Sequence, residues 1–177
     1  MIRAGLLLAA GASRRFGPQD KLLARLDGRP LIAHAAQALR DVPLDDRIAV
    51  ITNPQLRPWL SGFRIIQIEQ GQQSDSLRAG MGAVGRVDRL LIALGDMPDV
   101  TPAHLHAVLA RTTDLLPAAS HDGRHPRPPA CFPASALGAL AAAAGDQGAA
   151  RHLENLPQSQ LVAGPNLLRD IDRPDQI

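Results

Sequence analysis

Short apolar runs that alternate with amphipathic stretches constrain this chain more than any other feature. Ile2–Ala9, Arg47–Thr52, Arg64–Ile68 and Arg89–Leu94 each carry the apolar side chains of a buried strand. The last is nearly all apolar, as a central strand covered on both faces of a parallel sheet must be. Helical patterns fall between them. Pro30–Arg40 has proline in its first turn and Leu31, Ala35, Ala38 and Leu39 on one side. Asn53-Pro54 ends the second strand and opens a short helix, Pro54–Leu60. Ser74–Val84 sets Leu77, Gly80, Met81 and Val84 on one face, and Thr101-Pro102 caps a helix running to Arg111. Such alternation predicts an α/β fold with a mostly parallel sheet.

The second half is less regular. Leu116–Ser120 and Pro129–Phe132 read as strands on either side of a polar, proline-rich loop, His121–Pro128. The pair predicts a small antiparallel excursion over the sheet edge, with its loop the expected mobile segment. Leu22–Arg25 reads as a short extended piece before an Asp27-Gly28 turn. Pro133–Ala144 and Ala149–Leu156 read as helices, and Gln160–Val162 and Leu167–Ile171 as late strands. A chain of 177 residues is expected to form one domain, residues 1–177.

Composition removes several function classes. No apolar run approaches the ~18 residues of a membrane span, and the apolar start reads as a strand rather than a signal peptide. Cys131 is the single cysteine, which excludes an internal disulfide framework and thiolate-rich metal centres. A reducing cytoplasm is the expected compartment. Three Phe, one Trp and no Tyr leave little for stacking on single-stranded nucleic acid. A net charge of +2, with scattered basic residues, disfavours a duplex-binding stripe. Of the 19 basic residues only Lys21 is lysine. Within an arginine-rich composition, a surviving lysine hints that a compact ammonium is wanted there.

Three segments could carry chemistry. Leu8-Ala9-Ala10-Gly11-Ala12-Ser13-Arg14-Arg15-Phe16-Gly17, followed by Lys21, comes directly after the first strand. Small residues let the backbone turn sharply and aim several N–H groups at one point, a nest suited to phosphate oxygens. Arg15 and Lys21 add charge. The same segment also fits an ordinary strand–helix loop with surface arginines, and it matches neither a P-loop nor G-x-G-x-x-G. Gly95-Asp96-Met97-Pro98 follows the most apolar strand, at the edge where open parallel sheets bind ligands. Asp96 there suits Mg²⁺, and it also suits a turn or cap, a task open to Asp99 as well. Asp170-Ile171-Asp172-Arg173-Pro174-Asp175 sets Asp170 and Asp172 on one side of a strand end, as a second metal carboxylate or as a solvated acidic tail. Gln72-Gln73-Ser74-Asp75-Ser76 offers either donors for a polar ligand edge or plain helix capping by serine. Asp146, in the Gly145-Asp146-Gln147-Gly148 turn, could cap the following helix. The six histidines show no metal spacing and read as surface residues. Cys131 reads as core.

Taken together, these segments resemble the MobA-like nucleotidyltransferases, and most closely their molybdenum cofactor cytidylyltransferase branch. The resemblance rests on Leu8-Ala9-Ala10-Gly11 with Ser13, Arg15, Gly17 and Lys21; Gly28-Arg29-Pro30-Leu31; Ser74 to Gly80; Gly95-Asp96-Met97-Pro98; Gly145 to Ala149; and Asp170 to Asp175. It implies a Rossmann-like, three-layer α/β fold of the nucleotide-diphospho-sugar transferase type. It also implies Mg²⁺-dependent transfer of NMP from an NTP to a phosphorylated acceptor, with release of pyrophosphate. By match to the family motif, the backbone of Ala9, Ala10, Gly11, Ala12 and Ser13 holds the triphosphate with Arg15 and Lys21. Asp96 binds the metal, Asp172 stands where a second metal carboxylate is used, and Ser76 falls near base and ribose. Arg15, Lys21 and Asp96 are the implied catalytic residues. The implied partners are CTP, a phosphorylated small molecule such as molybdopterin, and a molybdoenzyme or its chaperone, with neither nucleic acid nor membrane.

The chain departs from the family pattern on the acceptor side. Arg127-Pro128-Pro129 stands where Gly-His-Pro is usual, and Gly148-Ala149-Ala150 where Gly-Ala-Arg is usual, with Arg151 one step late. Two alternatives therefore stand beside the first reading: a transferase for a sugar phosphate or other small phosphorylated acceptor, and a non-catalytic nucleotide-binding accessory protein.

Overall fold

Strand β1 (Arg3–Ala9) is buried along almost its whole length because it has a parallel neighbour on each side. One is β4 (Asp46–Ile51) and the other β6 (Arg89–Leu94). The computed structural model describes residues 1–11, 16–17, 19–69, 73–142 and 150–177. Ala12, Ser13, Arg14 and Arg15 lie outside the described residues, as do Gln72 and the 145–149 turn with Asp146.

The sheet has seven strands in the order β5-β4-β1-β6-β8-β7-β9, with β5 at Arg64–Gln67, β7 at Ala118–His121, β8 at Pro126–Pro133 and β9 at Leu161–Ala163. β5, β4, β1 and β6 are mutually parallel. β8 is antiparallel to β6 and β7 to β8, while β9 returns parallel to β7. The expected excursion is thus part of the sheet itself and widens it, rather than lying over its edge. A separate small hairpin pairs β2 (Arg25–Leu26) with β3 (Arg29–Pro30). Its turn puts Asp27 at φ 49° and Gly28 at φ 76°, the two left-handed positions of a tight hairpin.

Helices cover both faces. α1 (Leu31–Arg40) and α3 (Pro102–Arg111) share one core, with Ile32, Ala36, Leu39, Leu105 and Val108 against Leu7, Ala49 and Leu91. α2 (Gln73–Ala83) and α4 (Ala134–Ala141) lie over the other, where Leu77 and Leu140 meet Leu6, Ile48, Val50, Leu90 and Phe132. Alternation along β1 sends Leu6 and Leu8 to one face and Leu7 and Ala9 to the other. Each fully buried leucine contributes about 1.5–3 kcal/mol. Close approach of α2 depends on Gly80, where a Cβ would lie 2.6 Å from Leu6 Cδ1. The result is the three-layer, mostly parallel α/β fold expected.

Several local expectations are corrected. Half of His121–Pro128 is strand: residues 122–125 form the turn, closed by Asp122, whose carboxylate accepts from the backbone of Arg124 and His125. Residues 167–171 form no strand. Leu22–Arg25 is a 3-10 turn, Lys21–Leu23, followed by the first hairpin strand. The segments expected as helices at 54–60 and 149–156 are 3-10 turns, Pro54–Trp59 and Ala150–Leu153. Ser74 lies inside the first turn of α2 and does not cap it. His104 is not a surface residue. It is 6% exposed, its Nε2 lies 2.8 Å from Ser120 Oγ, and that hydroxyl donates onward to Pro129 O at 2.7 Å. Cys131 is buried core, and burial pushes its thiol up to about 11.

Candidate active site

Four parallel strands end at one edge of the sheet, so the segments after β1, β4, β5 and β6 all emerge there. β8 runs the other way and begins at that edge, which brings Arg127 to it. Ala9 and Ala10 are buried as the chain leaves β1, and Gly11 is exposed. The Gly95 N–H donates to Leu8 O at 2.9 Å, so the segment carrying Asp96 lies against the end of β1. Gly95 has little room for a side chain: a Cβ would lie 3.0 Å from Ile32 Cδ1 and 3.3 Å from Ala9 Cβ.

Lys21 occupies the centre of this edge. Its ammonium donates to Asp96 Oδ2 at 2.6 Å and to Asp172 Oδ1 at 2.8 Å. Only 7% of the residue is exposed. Burial draws the ammonium towards its neutral form, but the charges and hydrogen bonds of Asp96 and Asp172 outweigh this, and the pKa is raised. Asp20 caps the 3-10 turn that holds Lys21, accepting from Leu22 N–H at 3.0 Å. Asn53, at the end of β4, donates to the other Asp20 oxygen at 2.9 Å. The lysine is therefore tied to the sheet through its own neighbour.

Asp172 arrives differently. Leu168 and Ile171 bury their side chains, and the Ile171 N–H donates to Asp96 O at 3.0 Å. Gln176 Oε1 accepts from the N–H groups of both Asp172 and Arg173 at 2.7 Å. Arg169 pairs with Asp99 through two nitrogens at 2.8 and 3.4 Å. Asp99 thus ties the C-terminal segment to the loop after β6. Asp170 does not join Asp172; it accepts from Arg127 at 3.2 Å, and Arg127 also reaches Asp122 at 3.5 Å. The two aspartates expected on one strand face diverge because their segment is not extended strand.

The carboxylates fit a divalent cation in one specific respect. Asp96 Oδ1 is buried and has no hydrogen-bond partner among the described residues, while its other oxygen and Asp172 converge on a single positive charge. Among the described residues no group of three or more His, Cys, Asp or Glu could hold a metal. A hard cation here would need further oxygens from a ligand, the usual situation of Mg²⁺ held by one or two carboxylates and substrate phosphates. Ser76 is buried in the first turn of α2, which follows β5 at the same edge. Sequence reasoning missed Asp20, Asn53 and Gln176. Asp20 could have been found as an acidic cap directly before Lys21.

Residues 5–161 match the family model of the MobA-like NTP transferase domain. The chain belongs to this family. A molybdenum cofactor guanylyltransferase of Shewanella baltica is 31% identical over 130 residues, 70% of this chain and 64% of that protein. A 2-C-methyl-D-erythritol 4-phosphate cytidylyltransferase of Dehalococcoides mccartyi is 31% identical over 109 residues, 56% of this chain and 48% of that protein. The matched region is thus under two thirds of either relative. The crystal structure of Rv0371c from Mycobacterium tuberculosis H37Rv superposes with a TM-score of 0.84 at 25% identity, covering 99% of this chain and 95% of that one. Among the described residues no helix is long and apolar enough to cross a membrane.

Proposed function

We propose that this MobA-like domain transfers a nucleoside monophosphate, CMP from CTP, to a small phosphorylated acceptor of the molybdopterin type and releases pyrophosphate. The observation that carries this reading is the convergence of Lys21, Asp96 and Asp172 beside the loop that leaves β1. The triphosphate lies along the backbone of Ala9 to Ser13, with Arg15 and Lys21 neutralising the charge that grows on the departing pyrophosphate. Asp96 and Asp172 hold a divalent cation, Mg²⁺ in the cell. Bound there, the cation supplies Lewis-acid stabilisation of charge on the phosphates. Attack by an acceptor phosphate needs no general base, since that oxygen is already ionised at neutral pH. The protein contributes position and charge.

CTP is favoured by Ala9-Ala10. Both residues are buried as the chain leaves β1, and by resemblance the guanylyl branch usually carries Gly-Gly there, so the methyl of Ala10 would narrow the space open to a purine. One methyl discriminates by only ~1–3 kcal/mol, and Ser76 at the start of α2 supplies further contact to ribose and base. The names of relatives include both guanylyl and cytidylyl transferases, so a guanylyl reading is the direct competitor. Incubation with each of four α-labelled NTPs, Mg²⁺ and candidate phosphorylated acceptors tests the proposal. Label should move to an acceptor with kcat/KM highest for CTP. A GTP value equal to or above it returns the protein to guanylyl transfer, and no transfer with any pair supports a non-catalytic nucleotide-binding role.

A further inference from the structure

We infer that Arg127 is the positioning residue of Asp172: it ties the segment carrying that carboxylate to the β7–β8 hairpin and so sets how firmly the second metal ligand is held. The inference rests on the reading of Asp172 as a metal carboxylate and adds what keeps it in place.

Arg127 has a stiff base beside the site. The ladder between β6 and β8 ends at the pair Ile92 and Ala130. Beyond that pair β6 has two more strand residues and β8 has four, so Arg127 stands past the end of β6, where Asp96 leaves the sheet. Prolines flank it at 126 and 128. A fixed φ on each side, and the restriction that Pro128 puts on the residue before it, hold the Arg127 backbone extended. Arg127 also pairs with Ser120 of β7, whose hydroxyl donates to Pro129 O at 2.7 Å.

From this base the guanidinium bridges two segments. Nη1 donates to Asp122 Oδ2 at 3.5 Å and Nη2 to Asp170 Oδ1 at 3.2 Å. Asp122 is itself fixed, because its Oδ1 accepts from the N–H groups of Arg124 and His125 at 2.8 and 2.9 Å. One end of the fork is thus held by the hairpin turn, and the other reaches the C-terminal segment. Asp170 lies two residues before Asp172, and Ile171 between them donates its N–H to Asp96 O. The Arg169–Asp99 pair fixes the chain one residue earlier. Arg127 carries that hold closer to Asp172, from β8 rather than from the loop after β6. A planar fork suits such a bridge, whereas the point charge of a lysine would fix the angle of neither carboxylate. The resemblance puts glycine at this place, which could make no such contact, so the bridge is particular to this chain. Its ion pairs are partly exposed: 29% of the Arg127 side chain and 42% of the Asp170 side chain are accessible. Pairs of that kind add little to global stability, so the effect of Arg127 falls on the local order of residues 170–172.

Amide hydrogen exchange at Ile171 and Asp172, followed by NMR on protein without nucleotide, tests the positioning. Arg127→Gln and Asp170→Asn should each speed exchange at both amides by about two- to fivefold, the loss of one partly exposed ion pair. The double variant should do no more than either, and melting temperatures should change little. Mn²⁺ binding by electron paramagnetic resonance, with CTP or GTP present, tests the consequence. Arg127→Gln should weaken it by a similar factor, Arg127→Lys by less, and Arg127→Gln placed on Asp172→Asn should weaken it no further. Unchanged exchange in Arg127→Gln and Asp170→Asn overturns the inference. So does a loss of Mn²⁺ affinity in Arg127→Gln that persists in full on Asp172→Asn, or no loss where Asp172→Asn does cause one. Failure of the metal reading has a different signature: Asp172→Asn would leave Mn²⁺ binding unchanged while Arg127→Gln still speeds exchange.

Discussion

Asp96 and Asp172 meet at one ammonium, yet they reach it from opposite kinds of structure. Asp96 leaves the end of β6, a strand buried on both faces and paired along its length with β1. Its position follows from the parallel ladder and from the close packing of Gly95. Asp172 comes from an irregular stretch that leads into a 3-10 turn, Pro174–Gln176. What places it is a set of individual contacts: Leu168 and Ile171 in the core, Gln176 accepting from two backbone N–H groups, and the Arg169–Asp99 pair. A ladder distributes positioning over many bonds, while a tail concentrates it in a few. The second carboxylate should therefore be the more easily displaced, and the first the more costly to lose.

Substitution at the ladder side should produce the largest effect. Asp96→Asn should fold normally and lose on the order of 10²-fold or more in transfer rate, because the charge removed acts on the transition state. Steady-state pyrophosphate release, with a thermal melt to check folding, measures it. Asp172→Asn should cost less, on the order of tenfold, since its side chain is 39% exposed and water partly replaces it. Equal losses at the two positions would break the contrast.

Gln176→Ala sharpens it. The variant removes the acceptor of two backbone N–H groups at 2.7 Å, a loss of about 1–2 kcal/mol in local order. It should raise the metal concentration needed for half-maximal rate several-fold, with the melting temperature little changed. An unchanged metal requirement would mean that Leu168, Ile171 and the Arg169–Asp99 pair hold the tail without Gln176.

The smallest effect concerns the antiparallel half. The hydroxyl of Ser120 donates to Pro129 O, so the neutral His104 ring donates from Nε2. Burial holds the His104 pKa below its ordinary value near 6.5. The unfolded chain then binds the proton first, and stability falls as pH drops below about 6.5, by no more than ~1.4 kcal/mol per unit. Thermal melts from pH 7.5 to 5.5 should show this slope in wild type, flattened in His104→Gln. Identical slopes would place the acid sensitivity elsewhere.

This contrast also explains what was legible in the sequence. The apolar runs that form β1, β4 and β6 carry a period that any buried parallel strand must show, so the sheet and the edge holding Asp96 could be read directly. Lys21 could be singled out by its isolation among arginines and by the family motif, but its pairing with Asp96, 75 positions away, has no periodic trace. Residues 167–171 looked like strand because Leu167, Leu168 and Ile171 are apolar. Leu168 and Ile171 are in fact buried by anchoring an irregular segment. His104 was misread for the opposite reason: a lone histidine on a helix looks polar until Ser120 supplies its buried partner. Contacts made by single side chains over long separations escaped; those repeated along a ladder did not.

The central claim is that carboxylates from these two regions share one divalent cation with the nucleotide. Calorimetric titration of CTP, with and without Mn²⁺, tests it most directly in wild type, Asp96→Asn and Asp172→Asn. The ratio of the two Kd values measures how much the metal tightens nucleotide binding. The account predicts a ratio of about tenfold or more in wild type, falling close to one in Asp96→Asn and to an intermediate value in Asp172→Asn. A wild-type ratio retained in both variants would contradict it.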